Sequence, residues 1–102
     1  MHHQENTNLI KTVTIVGAGS WGTALANVIG HNHPEMTIRM WAYEKDVVRT
    51  INNNHTNTAY LPGMILADSI IAYHDLKESV KQTDAIIIAT PSKVVYDICV
   101  KL

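Results

Sequence analysis

Apolar, β-branched segments alternate with segments of helical character along this 102-residue chain, and the alternation constrains the fold more than any other feature. Four segments have the composition of strands: 12–16, 36–42, 69–73 and 84–89. Each is followed by a segment with helical spacing or a helix cap: 21–29, a short stretch after Asp46, 75–81 and 93–102. This order predicts an α/β fold, in which helices cover both faces of a partial parallel sheet of about four strands.

Local signals set the expected ends of these elements. Gly30 is placed to end the first helix, and Asp46 and Asp75 are expected to cap the second and third. Residues 52–64 are predicted to form a long polar loop. The strand at 84–89 carries an apolar run without polar alternation, which predicts burial on both faces of the sheet.

Composition narrows the class of protein. Hydrophobic residues make up 46% of the chain, and Lys and Arg number 8 against 9 Asp and Glu, so we expect a globular domain without a nucleic-acid partner. No apolar run approaches the roughly 18 residues of a membrane span. The single Cys99 excludes an internal disulfide and suits a reducing, cytoplasmic setting. We predict a flexible segment at 1–11 and one domain at 12–102.

A glycine-rich turn separates the first strand from the first helix. Its residues match the pattern G-x-G-x-x-G: Gly17, Ala18, Gly19, Ser20, Trp21 and Gly22. Gly17 would permit the tight turn, Gly19 would let the backbone approach a pyrophosphate, and Gly22 would let the helix pack close to the strand. The position therefore predicts a Rossmann-like dinucleotide site, although glycines of this kind also occur in turns that bind nothing.

The second strand is followed by two further candidates for cofactor contact. Glu44 lies 22 residues after Gly22, near the place where an acidic residue binds the adenosine ribose. A carboxylate there accepts hydrogen bonds from ribose hydroxyls and repels a 2′-phosphate, so it favours NAD over NADP, while the adjacent Lys45 would offset that repulsion. Tyr43 could lay its ring against the adenine. The alternatives are a solvated acidic residue and a tyrosine packed on the sheet edge.

Several longer motifs resemble one family, the NAD(P)-dependent glycerol-3-phosphate dehydrogenases. The resembling stretches include 13–26 with its Trp inside the glycine turn, 40–44, 60–63 (Tyr-Leu-Pro-Gly) and 86–92. By this resemblance Ser20 and Trp21 lie at the diphosphate turn, and Tyr43 contacts the cofactor. Pro91 and Ser92 belong to the loop near the nicotinamide half. Many relatives have an aromatic residue shortly after that loop, where this chain has valines.

The family reduces dihydroxyacetone phosphate to sn-glycerol 3-phosphate with a nicotinamide cofactor. Its members carry a second, helical domain that holds the catalytic lysine and most of the substrate-phosphate site. The resemblance implies that this chain is the amino-terminal, cofactor-binding part, without catalytic residues, and inactive alone. It would meet its phosphate substrate only with that second domain. The open side of the last strand could also support self-association.

Two other functions remain open from the residues. The chain could be a non-catalytic NAD(H)-binding module, or the Rossmann half of a different dehydrogenase. A metal site is not expected, because the 6 histidines lack the spacing of known ligand motifs. Cys99 is flanked by apolar residues, which favours packing over nucleophilic chemistry.

Overall fold

The structure, a computed structural model, describes residues 10–90. Its elements follow in the predicted alternation: β1 (Thr12–Val16), α1 (Ser20–Asn32), β2 (Thr37–Trp41), α2 (Lys45–Asn54), β3 (Ile70–Tyr73), α3 (Leu76–Val80) and β4 (Ala85–Ile88). The last helix, predicted from about Lys93, lies outside the described residues, as do Pro91, Ser92 and most of the predicted flexible start. No helix within residues 10–90 is long and apolar enough to cross a membrane.

The four strands form one parallel sheet in the order β3-β2-β1-β4. The chain adds β2 and β3 on one side of β1 and then returns to place β4 on the other side. This confirms the predicted α/β class, and it pairs the last strand with the first. The strand order therefore reverses at β1, and such a reversal opens a crevice at the carboxyl ends of the strands.

The two faces of the sheet are covered differently. One face carries the apolar core beneath α1 and α2, and its main residues alternate along the strands: Val13, Ile15, Ile38, Met40, Ile70 and Ala72. The other face carries α3, which is fixed by a hydrogen bond of 2.5 Å from the buried Thr14 hydroxyl to the carbonyl of Ser79. Arg39 donates to the carbonyl of Lys81 at the end of the same helix. Helices thus lie on both faces, as predicted.

The first helix does not end where the sequence predicts. Gly30 lies inside α1, which continues to Asn32, and the N–H of His33 then donates to the carbonyl of Ile29 at 2.8 Å. Close packing explains the glycine, because a Cβ at Gly30 would lie 2.6 Å from the Cβ of Ala67. Gly30 therefore lets the helix approach the segment before β3 and does not terminate the helix.

One predicted cap is confirmed and one is wrong. Asp75 caps α3, because its Oδ1 accepts from the backbone N–H of Lys77 and of Glu78. The N-cap of α2 is Glu44, whereas Asp46 lies inside the first turn and pairs with Arg49. The helix therefore begins two residues earlier than predicted, and Glu44 has the extended backbone of a cap residue.

The predicted loop at 52–64 is shorter than expected, because α2 continues to Asn54. Asn52 explains why the helix extends into it. Its amide Nδ2 donates to the carbonyl of Ala72 at 3.0 Å, and its Oδ1 accepts from the N–H of Ala72 at 2.7 Å. The amide thus pairs with the outer backbone edge of β3, which protects that edge of the sheet.

The prediction that β4 is buried on both faces is wrong for Ile86, which is 42% exposed. Its neighbours in the strand are half-buried. The physical reason is position: β4 is an edge strand among the described residues, and α3 packs on β1, β2 and β3. The side chain of Ile86 lies on the α3 face, beyond the reach of that short helix.

Candidate functional site

A cleft of about 510 Å³ opens at the carboxyl ends of β1, β2 and β4. It lies where the strand order reverses, which is the general position of ligand sites in open α/β sheets. Its walls come from the glycine turn, the end of β2 with the following residues, the 57–61 loop and the end of β4. The lining residues are Gly17, Ala18, Gly19, Trp41, Ala42, Tyr43, Glu44, Tyr60, Ala89 and Thr90.

Two glycines let the turn pack tightly beneath the cleft. Gly17 has φ +123°, and a Cβ there would lie 2.6 Å from the carbonyl oxygen of Ala89. A Cβ on Gly22 would overlap the carbonyl oxygen of Gly17. The start of α1 therefore lies directly against the ends of β1 and β4.

Gly19 is different, because among residues 10–90, its chain neighbours aside, no atom lies within 4 Å of the position that its Cβ would take. It lines the cleft and is the N-cap of α1. No side chain among the described residues caps this helix, and its first turn contains no acidic residue. The free N–H groups and the positive end of the helix dipole therefore suit an anion such as a diphosphate, with room for it beside the bare backbone.

The loop at 57–61 forms a wall that is fastened to the glycine turn. Asn57 is buried, and its Nδ2 donates to the carbonyl of Ala18 at 2.9 Å and to the hydroxyl of Thr23 at 2.8 Å. The Ser20 hydroxyl donates to the carbonyl of Tyr60 at 2.7 Å. Three side-chain hydrogen bonds thus hold the loop to the glycine turn and to the start of α1, which lie 34 to 40 residues away in sequence.

Glu44 extends from the end of β2 into this part of the cleft. The hydroxyl of Tyr60 lies 2.8 Å from Oε1 and 3.0 Å from Oε2 of the Glu44 carboxylate. This hydrogen bond, together with the negative charge of the carboxylate, raises the pKa of Tyr60. The phenol therefore stays protonated and remains a donor to Glu44.

The aromatic candidates have different surroundings. Tyr43 lines the cleft with its side chain 78% exposed, and its ring meets that of Trp41 edge to face at a centroid distance of 6.4 Å. Trp41 is fixed by a hydrogen bond of 2.7 Å from Nε1 to the carbonyl of His74. Trp21 is 63% exposed and does not line the cleft.

Of the eight predicted site residues that lie within residues 10–90, five line one cleft: Gly17, Ala18, Gly19, Tyr43 and Glu44. Ser20 borders it through Tyr60, whereas Trp21 and Gly22 do not line it. Pro91 and Ser92 lie outside the described residues. The adjoining Ala89 and Thr90 line the cleft, and the Thr90 hydroxyl is buried without a hydrogen-bond partner among residues 10–90.

Sequence reasoning from single residues missed the roles of Asn57 and Tyr60. The signal available was weak: a Tyr-Leu-Pro-Gly run that interrupts a polar stretch. Within residues 10–90, no group of three or more His, Cys, Asp or Glu side chains is arranged to hold a metal ion.

The parallel sheet, the glycine turn at its reversal point and the acidic residue after β2 define a Rossmann-like dinucleotide-binding domain. A sequence model of one family matches residues 12–102, and its description is NAD-dependent glycerol-3-phosphate dehydrogenase N-terminus. The chain belongs to that family, which confirms the resemblance seen in its motifs.

Individual relatives agree with this assignment. The chain is 42% identical over 89 residues to the glycerol-3-phosphate dehydrogenase [NAD(P)+] of Bacillus pumilus, and 44% identical over 89 residues to that of Bacillus subtilis. Each alignment covers 87% of this chain and 25% of the relative. The chain thus spans about a quarter of the length of these relatives.

Solved structures of the same kind of enzyme superpose on the described fold. The glycerol-3-phosphate dehydrogenase of Saccharomyces cerevisiae matches with a TM-score of 0.81 and 36% identity, over 89% of this chain and 29% of that one. The corresponding protein of Plasmodium falciparum matches with a TM-score of 0.84 and 30% identity, over 95% and 29%. The Rossmann-like assignment therefore follows from both the geometry and the comparisons.

Proposed function

We propose that this chain is the cofactor-binding part of an oxidoreductase that interconverts dihydroxyacetone phosphate and sn-glycerol 3-phosphate. The observation that carries the proposal is Gly19: a bare backbone at an uncapped helix start, facing open space in the cleft where the strand order reverses. A diphosphate fits there because the helix start supplies N–H donors and a positive dipole end. Family membership supports the same assignment.

The residues of the cleft have separate tasks in this proposal. The start of α1 binds the diphosphate, Glu44 accepts hydrogen bonds from the adenosine ribose, and the exposed ring of Tyr43 offers an apolar face to the adenine. The bound nicotinamide would supply hydride exchange with the carbonyl of the substrate. Pro91 and Ser92 are proposed to contact the nicotinamide half, by resemblance.

The proposal extends to coenzyme preference and to catalysis. NAD is favoured because the Glu44 carboxylate would repel a 2′-phosphate. Hydride transfer also needs a substrate held in near-attack geometry and a proton donor at its carbonyl. By resemblance these come from a second, helical domain, so we expect residues 1–102 alone to bind the dinucleotide without turnover.

Isothermal titration of residues 1–102 with NADH and with NADPH tests the proposal. We expect saturable binding of one NADH per chain, with weaker binding of NADPH. An assay of dihydroxyacetone phosphate reduction with the same protein should show no turnover. Absence of binding to either coenzyme would refute the proposed site. Turnover by residues 1–102 alone would refute the assignment of the proton donor and the substrate site to a second domain.

A further inference from the structure

The carboxylate of Glu44 does not make the hydrogen bond to its own helix that the side chain of a cap residue normally makes. As the N-cap of α2, Glu44 could turn back towards the free N–H groups of the first helical turn, but it makes no side-chain cap hydrogen bond. Its two oxygens instead lie 2.8 and 3.0 Å from the Tyr60 hydroxyl, beside the cleft. Tyr60 therefore directs the carboxylate away from its own helix.

Tyr60 is itself held by the glycine turn. Its carbonyl accepts from the Ser20 hydroxyl at 2.7 Å, and its N–H donates to the carbonyl of Asn57 at 3.2 Å. Asn57 is fastened in turn to the carbonyl of Ala18. The position of the Tyr60 hydroxyl is thus tied to the same backbone that would carry the diphosphate.

We propose that Tyr60 is a positioning residue for coenzyme choice, because it holds the Glu44 carboxylate where the adenosine ribose would lie. This inference rests on the proposed function and deepens it. A lone glutamate on the surface has many rotamers and could swing away from an approaching 2′-phosphate. A glutamate fastened by Tyr60 cannot do so without losing a hydrogen bond to a charged group.

The hydrogen-bond inventory allows Glu44 to serve both partners. The Tyr60 hydroxyl has one proton to donate, whereas a carboxylate has about four acceptor sites. Acceptor positions therefore remain for the two ribose hydroxyls. The neighbouring Lys45 is the cation that could favour a 2′-phosphate, and it is exposed. Holding the Glu44 carboxylate in place therefore disfavours the binding of a 2′-phosphate.

The test compares wild type with Tyr60→Phe, using ADP-ribose and 2′-phospho-ADP-ribose as ligands. These probes contain the adenosine half alone, so binding does not require a nicotinamide site. Isothermal titration gives a Kd for each, and the readout is their ratio. We expect wild type to prefer ADP-ribose and Tyr60→Phe to reduce that preference roughly three- to tenfold.

Two further variants keep the result interpretable. Tyr73→Phe removes the hydroxyl of a tyrosine that does not line the cleft and should leave the ratio unchanged. Glu44→Gln should abolish the preference, and adding Tyr60→Phe to it should have little further effect on the ratio, because both changes act through one carboxylate. A general loosening of the cleft would weaken both ligands together and would not change their ratio.

The outcomes separate this inference from the proposed function. If wild type binds neither probe, the proposed function fails, and the inference fails with it. If wild type prefers ADP-ribose and Tyr60→Phe retains the same ratio, the inference alone is overturned. A wild-type preference for the 2′-phosphorylated probe would also overturn it.

Discussion

The side-chain amide of Asn57 joins the glycine turn to a loop that lies far from it in sequence, by donating to the carbonyl of Ala18 at 2.9 Å. The same nitrogen lies 2.8 Å from the Thr23 hydroxyl, and Asn57 is only 1% exposed. The nitrogen of this buried amide thus supplies hydrogen bonds to two oxygen atoms. The glycine turn and the 57–61 loop, which form two walls of the cleft, are thus fastened to each other by hydrogen bonds.

Asn57→Ala should therefore destabilise the domain. Removing the amide leaves the buried oxygens of Ala18 and Thr23 without their donor, which costs about 1–3 kcal/mol in the free energy of unfolding. Chemical denaturation followed by circular dichroism measures the change. Asn53→Ala is the matched control, because Asn53 is exposed on α2 and its loss should cost less than about 0.5 kcal/mol. Equal stabilities of the two variants would contradict this account of the loop.

Gly19 and Gly22 should respond differently to substitution. Gly19→Val places its side chain in open space within the cleft, so the variant should still fold. Its binding of ADP-ribose should weaken more than about tenfold, because the valine side chain excludes the diphosphate. Gly22→Ala drives a Cβ into the Gly17 carbonyl and should cost about 1–3 kcal/mol of stability or more. Thermal denaturation and titration measure the two effects. Unweakened binding by Gly19→Val would exclude this turn as the diphosphate site.

Asp84 should make stability depend on pH in acid. Its Oδ2 accepts from the N–H groups of Lys11 and Thr12, both at 2.9 Å, and these hydrogen bonds lower the pKa of the carboxyl group. Because the folded chain holds this proton less tightly than the unfolded chain, the stabilisation is present in full above about pH 5 and is lost as the pH falls through the lowered pKa.

Asp84→Asn should accordingly lower the melting temperature at neutral pH and reduce its decline in acid. Melting temperatures between pH 7 and pH 3 measure both effects. Asp68→Asn removes the same charge from an exposed position and serves as the control. If the melting temperature of Asp84→Asn declined in acid as steeply as that of wild type, the Asp84 carboxylate would not anchor the start of β1.

The two edges of the sheet should differ in their tendency to associate. The Asn52 amide pairs with the outer edge of β3, whereas β4 pairs only with β1 among residues 10–90. We expect residues 1–102 to self-associate through β4, and Ile86→Lys to suppress this with a charge on the edge strand.

Ile71→Lys is the matched control for the edge, since Ile71 and Ile86 are 43% and 42% exposed on β3 and β4. Sedimentation velocity over a range of concentrations measures the association. A monodisperse wild-type monomer would refute the prediction, and equal suppression by both lysine variants would assign the contact to a face of the sheet.

Much of the fold could be predicted because its signals are local. A β-branched run such as Thr12–Val16 favours a strand by itself, and Asp75 caps α3 through N–H groups two and three residues away. The end of α1 could not be predicted in this way. A glycine at this place in the sequence is typical of a helix end. In the structure, however, Gly30 is needed because Ala67, from a distant segment, packs directly against it.

The sequence by itself determined the alternation of strands and helices, the glycine turn after the first strand, and the acidic residue after the second. These depend on residue types over a few neighbouring positions. Only the tertiary structure decided that Tyr60 meets Glu44 and that Asn57 meets Ala18. Those contacts join residues 16 and 39 positions apart, and it is the packing of the sheet and α1 that brings them together.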